Sequence, residues 1–226
     1  MINVSATSEW KTAHTGAVIG LLELSGVENG SPSLLLDQRK RATEARLRTV
    51  YAGYRRQDFL ALPVMAAYEK YYRHFDKTYH VLLQVESIVL KARNLPNVSP
   101  LVDANFTAEV STLVLTAGHD SSMLEPPIVI DVSHAGDELV NMNGEKKLIR
   151  PGDMVMRDRR GVCCTILYGQ DNRSPISPQT DQVLYVAYAP IGVTQEQVQT
   201  HLHQLEENIR LFAPRAVMEQ NRLLIA

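Results

Sequence analysis

Apolar residues along this chain change period twice. Residues 16–24, GAVIGLLEL, form a continuous apolar run bounded by Gly16 and Ser25-Gly26, which fits a buried strand better than a helix. Asn29-Gly30-Ser31-Pro32 then reads as a turn, and the period lengthens. Ser33 is placed to cap a helix that ends near Gly53, its natural stop. Pro63 suits the first turn of a second helix running to Phe75. Its Tyr68, Tyr71, Tyr72 and Phe75 recur at three- and four-residue spacings, the stripe of a core-facing helix or, on the rarer reading, a base-stacking platform. Val81, Val85, Ile88, Val89 and Ala92 give a third helical period, although VLLQVESIVL has strand-like composition.

After Asp120 the period shortens again. Residues 128–132, 138–141, 146–149, 154–157, 162–168 and 183–188 are strand candidates. Asn143-Gly144 marks a hairpin, Pro151-Gly152-Asp153 a turn, Met156–Gly161 a hairpin tip, and Ser174–Pro178 a rigid surface loop. Thr194 and Gln197 form a capping box opening an amphipathic helix over about 194–212, with Val198, Leu202, Leu205 and Ile209 inward. The two halves meet in Leu95–Asp120. This stretch holds two β-branched runs, a buried-looking Asp103-x-Asn105 and a closing turn Ala117-Gly118-His119-Asp120. Any ligand pocket is expected to have one wall here.

At 226 residues the chain can bury a core without staples. Lys and Arg number 23 against 25 Asp and Glu, a formal net charge of −2, which argues against strong salt-driven wrapping of nucleic acid. Positive charge concentrates only in and just beyond the first helix, at Gln38-Arg39-Lys40-Arg41, Arg46, Arg48, Arg55 and Arg56. That face reads as solvated or as a phosphate-binding patch. The two cysteines, Cys163 and Cys164, are adjacent and point to opposite faces of a strand, so they suit neither an ordinary disulfide nor a zinc site. No apolar run reaches membrane-span length, and a cytoplasmic protein with no membrane association is expected.

The sequence offers no phosphate loop, no dinucleotide fingerprint, no G-x-S-x-G and no H-E-x-x-H. No cofactor and no metal are therefore expected. In a helix the side chains of His201 and His203 diverge by roughly 200°. Cys163 reads as a buried structural thiol rather than a nucleophile, because no base is fixed beside it. His119 beside Asp120 is raw material for proton transfer, with capping or turn duty as the alternative for Asp120.

The order of several short motifs carries a resemblance. Leu101-Val102-Asp103, His119-Asp120, Gly136-Asp137-Glu138-Leu139, Pro151-Gly152-Asp153 with Asp158, Gly169 and Thr180 follow the pattern of the B-three/B-four domain in the bacterial phenylalanyl-tRNA synthetase beta subunit. The chain resembles still more the free-standing proteins built on that domain. The core of the resemblance covers 72–190, and the whole chain, 1–226, is expected to form a single such domain. The resemblance implies an α+β fold, a central β-sandwich flanked by helices, with a helical N-terminal half.

In the synthetase this domain hydrolyses tyrosine wrongly attached to phenylalanine tRNA, mainly by positioning an ester and a water. In this sequence Ala117 stands where that pocket has its histidine and Val186 where it has the glutamate that reads the tyrosine hydroxyl. Phe106, beside Asn105, stands at the asparagine of the first strand, and Gly169 is retained. The resemblance thus implies a cavity without tyrosine-specific editing, since losing a buried acceptor forfeits such discrimination. Its expected binding residues are Asn105, Thr116, His119, Asp120, Gly169, Gln170 and Thr180, with Arg39, Lys40, Arg41 and Arg46 toward nucleic acid. Two functions follow. One is a tRNA- or amino-acid-binding protein without aminoacylation activity; the other is a free-standing hydrolase that deacylates a mischarged aminoacyl-tRNA in trans.

Overall fold

The apolar run after Gly16 becomes a central strand. In the computed structural model, which describes residues 1–226, the chain opens with strand β1 (Val4–Ala6) and helix α1 (Ser8–Ala13) before entering β2 (Val18–Ser25). Seven of the eight β2 residues are buried, which is why they show no alternation: both faces are covered. Five helices follow, α2 (Leu34–Val50), α3 (Arg56–Leu60), α4 (Pro63–His74), α5 (His80–Val89) and α6 (Pro100–Thr112). Ser33 caps α2 by accepting from the Leu36 N–H, and Pro63 sits in the first turn of α4. The strand-rich half supplies β3 (Thr116–Asp120), β4 (Ile128–Val132), β5 (Glu138–Val140), β6 (Lys146–Leu148), β7 (Met154–Asp158), β8 (Gly161–Thr165), β9 (Gly169–Gln170) and β10 (Gln182–Ala189). Helix α7 (Gln195–Arg210), opened by the Thr194–Gln197 capping box, and strand β11 (Val217–Ile225) complete the chain.

Two sheets make the sandwich. One has the order β11-β2-β10-β3, all antiparallel. The other is β1-β4-β7-β8-β9, with β1 parallel to β4. The β5–β6 hairpin forms a separate ribbon around Asn143-Gly144. Between the sheets Tyr188 of β10 meets Cys164 of β8. On the outer face of the first sheet, a Cβ at Gly20 would lie 2.6 Å from Val198 and 3.1 Å from Leu202, so α7 rests directly on bare backbone there. No helix is long and apolar enough to cross a membrane.

The stretch Leu95–Asp120 differs from its sequence reading. Its β-branched run, where the resemblance put a first strand at Phe106, is helix α6, closed by Leu113 at φ +67°. The expected closing turn 117–120 is strand β3, paired to β10. Tertiary burial explains the override: Leu101, Ala104, Ala108 and Val110 are buried in one core with the sheets. The Thr107 and Thr112 hydroxyls donate back to the carbonyls of Asp103 and Ala108, so these residues satisfy their polar groups inside the helix. The run 162–168 also divides. β8 stops at Thr165 and the chain turns before β9, where Gly169 takes φ +80°.

Candidate functional site

A cavity of about 320 Å³ opens between the two sheets at their free edges. Helix α6 supplies Val102, Asn105 and Phe106; edge strand β3 supplies Thr116, Ala117 and Gly118; the β8–β9 turn supplies Cys164, Thr165, Ile166, Gly169 and Gln170. Val98, Met142, Ile176 and His80 also line it, with Tyr188 contributed by β10. The lining contains no Lys, Arg, Asp or Glu.

Helix α6 fixes β3 through Thr116. The Asn105 amide nitrogen donates to the Thr116 carbonyl at 3.1 Å, and the Thr116 N–H donates to Glu109 Oε1 at 2.8 Å. The Thr116 hydroxyl lies 2.5 Å from His201 Nε2, and His201 Nδ1 lies 2.7 Å from the Thr112 hydroxyl. Burial pushes the Glu109 carboxyl up to about 8, against the pull of the Thr116 N–H and the Asn105 amide. Burial likewise holds His201 down to about 3. The clamp is therefore largely uncharged at neutral pH, which suits its fully enclosed position.

The same bonds dictate what faces the cavity. A carbonyl only accepts, so the Asn105 nitrogen is fixed at Thr116 and its Oδ1 is left buried with no partner. Gln170 is oriented in the same way. Its amide nitrogen donates to the Ser174 carbonyl at 2.6 Å and lies 3.2 Å from His119 Nδ1, which leaves Oε1 as the end of the amide not committed to the protein. Alternation along β3 turns a third group outward. Thr116 and Asp120 direct their N–H groups away from β10, to Glu109 and to the Ser174 carbonyl. Gly118 lies midway, so its N–H and C=O share that free edge. The Tyr188 hydroxyl is also buried without a hydrogen-bond partner, beside the weakly bonding Cys164 thiol. The lining thus combines the Asn105 and Gln170 carboxamides, the free edge of Gly118 and the Tyr188 hydroxyl with a mostly apolar surface.

The remaining expected residues take other places. His119 is fully buried behind Gln170, with Nδ1 2.8 Å from the Ser174 hydroxyl. Burial drives it down to about 3, so it is a neutral prop and does not line the cavity. Asp120 caps the 3-10 turn at Ser121–Met123 by accepting from the Ser122 N–H and hydroxyl, and it also accepts from the Thr180 hydroxyl at 2.7 Å. Asp120 and Thr180 therefore tie the end of β3 to the loop 174–181, outside the cavity. That loop is not simply surface. Ser174 is buried, because its carbonyl completes the free edge of β3 at Asp120. Gly169 lines the cavity, and nothing lies within 4 Å of a Cβ built on it. Ala117 and Val186 are direct cross-strand partners, one face of one sheet. Burial pushes the Cys164 thiol up to about 12 and Cys163 well above its ordinary value, which leaves neither a thiolate nucleophile at neutral pH.

The basic patch on α2 comes apart. Lys40 points inward, 1% exposed, and donates to the Pro96 carbonyl, Asn97 Oδ1 and Asp103 Oδ2, each at 2.7 Å. Arg41 bonds Glu44 at 2.9 Å and the Leu95 carbonyl at 3.4 Å. Only Arg39 and Arg46 remain on the outer face, and Arg46 donates to Ser111 at 2.7 Å. Ser111 lies roughly 180° around α6 from Val102 of the cavity, at about 100° per residue. The physical reason is the helix period: positions 36, 40, 43, 44 and 47 form the buried stripe, and two of the five are charged. Sequence reasoning missed Ala117's neighbour Gly118, whose signal is a glycine inside a strand pattern, the mark of a close backbone approach.

Comparison with known proteins fits this architecture. Residues 66–213, well over half of the chain, match the family described as "B3/4 domain". Among solved structures the chain is similar to an N-terminal fragment of the phenylalanyl-tRNA synthetase beta-subunit from Pyrococcus horikoshii. The TM-score is 0.50 with 9% sequence identity, over 98% of this chain and 50% of that one. The chain thus spans half the length of that fragment, and at this identity the likeness concerns the fold alone. No curated protein sequence matches.

Proposed function

The chain belongs to the B3/4 domain family, and on that premise we propose that its cavity binds an amino acid presented as an ester, the form carried by aminoacyl-tRNA. One observation carries this reading: Asn105, with its Oδ1 unpartnered, Gln170, with its amide nitrogen already used, and the free edge of Gly118 line one cavity that contains no Lys or Arg. An α-ammonium group brings three N–H donors and matches the oxygens of these groups. A free amino acid would also bring a carboxylate with no cation to meet it, a costly burial. An ester removes that charge while keeping the ammonium. His80 lines the mouth, and the Lys77 ammonium lies 4.8 Å from the Tyr168 ring centroid next to Gly169.

The test is calorimetry on the full chain with a panel of amino acids, each offered free and as a non-hydrolysable aminoacyl-adenosine amide. At least one amide should bind about tenfold or more tighter than its free acid. Equal affinity for both forms, or no binding, overturns the reading.

A second reading is deacylation in trans, and the Gly118 N–H supports it. A main-chain donor aimed into an apolar cavity polarises an ester carbonyl and stabilises developing negative charge. His119, facing Gln170 and Ser174, is not placed to serve as its base. Incubation with misacylated tRNAs separates the readings: accelerated ester loss makes the protein a hydrolase, and tight binding at the spontaneous rate makes it a carrier or sensor.

A further inference from the structure

Each of the two sheets has two edges, and three of these four are short or covered. β1 and β9 have three and two residues. Along β3, beside the cavity, Glu109 and the Ser174 carbonyl take the N–H groups of Thr116 and Asp120. The fourth edge is β11, nine residues long and the end strand of the order β11-β2-β10-β3. A long bare edge is a template for another strand, and proteins blunt such edges with lysine, proline, free charge or a bulge.

β11 carries little of that protection. Its sequence, VMEQNRLLI, contains no lysine and no proline. Its two charges are turned back into the chain. Glu219 accepts from the Ser25 hydroxyl at 2.6 Å, and Arg222 donates to Gln220 Oε1 and to the Val4 carbonyl. The Gln220 amide donates to the Ile2 carbonyl and to Glu23, and Asn221 accepts from Gln199. A bulge between Met218 and Gln220 is the only irregularity, and residues 220–225 run evenly along β2.

The main chain on the open side is free. The Ala226 N–H donates to the Ala17 carbonyl, and the Ala226 carbonyl accepts from the Gly16 N–H. Alternation then turns Gln220, Arg222 and Leu224 toward β2, and the N–H and C=O groups of Asn221, Leu223 and Ile225 outward. No group of the protein meets them. The side chains at the two ends are exposed and apolar: Val217 (57%) and Met218 (42%) at one, Ile225 (47%) at the other.

Apolar ends around a polar centre make this strand complementary to itself. Antiparallel pairing about Asn221 sets the Val217–Met218 end of one copy against the Leu224–Ile225 end of the other. It also places Arg222 opposite Gln220, so no like charges face each other. We propose that β11 pairs with β11 of a second copy of this chain, joining the two four-stranded sheets into one across a two-fold axis at Asn221. β3 lies at the far side of the sheet, so both cavities stay open in the dimer. The inference is independent of what the cavity binds.

Sedimentation of the full chain over a concentration series tests it, with Val217→Lys/Ile225→Lys as the variant. Wild type should approach twice the monomer mass. The variant, with lysines at two exposed positions, should raise the dimer dissociation constant about a hundredfold or more, with an unchanged circular dichroism spectrum. Crosslinking supplies a second measurement. Residues facing each other in a hydrogen-bonded antiparallel pair lie about 5.5 Å apart at Cα, within reach of a disulfide. Asn221→Cys should therefore oxidise to a covalent dimer, while Leu148→Cys, exposed on the β5–β6 hairpin, should not; the native Cys163 and Cys164 are buried. A monomeric wild type, a dimer that persists in the lysine variant, or crosslinking no faster at Cys in place of Asn221 than in place of Leu148 overturns the proposal.

Discussion

Helix α6 carries two buried polar clusters of opposite character. At its first turn Asp103 meets Lys40 at 2.7 Å, and Asp103 also accepts from the Val98 N–H at 3.0 Å. Glu44 nearby accepts from the Leu95 N–H and from Arg41. Each of these four charged side chains faces a partner. One turn along, Asn105 and Glu109 clamp Thr116, yet Asn105 Oδ1 is left buried without a partner, beside Gln170 and the free edge of Gly118 in the cavity lining. The first cluster is charged and closed; the second is neutral and open. Closed polar clusters in a protein interior hold backbone in place, and open ones wait for something to bind. Lys40 and Arg41, expected from the sequence to face nucleic acid, spend their hydrogen bonds on carboxylates and main-chain carbonyls of the protein.

Four measurements break or sharpen that contrast. The largest effect belongs to Lys40→Met. Removing one member of a buried ion pair strands the other, so stability should fall by about 3–5 kcal/mol in urea unfolding. Lys40→Met with Asp103→Leu should recover part of that loss. If Lys40→Met instead leaves stability unchanged and weakens tRNA binding, the cluster was misassigned.

Next comes Glu109→Gln, read as stability against pH. The folded chain holds a proton on Glu109 up to about 8 that the unfolded chain sheds near 4.5. Stability therefore falls as pH rises through that window, by up to about 1.4 kcal/mol per unit. Asp153, pushed up to about 7, adds the same sign over a lower range. His119 and His201, held down to about 3, act oppositely and lose stability as pH falls below about 6.5. Between pH 7 and 8.5 Glu109→Gln should flatten the decline seen in the wild type. A parallel decline in the variant would show that the clamp is ionised.

Asn105→Ala tests the open cluster itself. It should lower affinity for an aminoacyl-adenosine amide about tenfold, the scale of one hydrogen bond to a charged group, while unfolding stays cooperative. An unaltered affinity would mean that the unpaired oxygen is incidental. The smallest effect is expected for Arg39→Ala/Arg46→Ala, exposed on the outer face of α2. Both stability and amide binding should match wild type within error, as is usual for exposed charges.

Much of the fold was legible before any coordinates. The continuous run 16–24, the Ser33 cap, Pro63 in a first turn, the Thr194–Gln197 box and the Asn143-Gly144 hairpin all appear where local rules put them, because caps and turns are decided by a few neighbouring residues. Asn105, Thr116, Gly169 and Gln170 all line the cavity. His119, Asp120 and Thr180 do not, since a β3 strand in place of a turn sends their side chains to Ser174, Ser122 and one another.

By itself, then, the sequence determined the α+β class, the positions of most helices and strands, and membership of a family whose motifs recur in order. Those are properties of periodicity and short-range chemistry. Only the tertiary structure decided that Leu95–Asp120 is a helix and a strand, that Lys40 is a core residue, and that two carboxamides with committed nitrogens line one cavity. Each of these depends on partners 11 to 63 residues away or on another sheet edge. A hydrogen bond at that separation leaves no period in the sequence, and which end of an amide is left free is settled only when its other end has found a carbonyl.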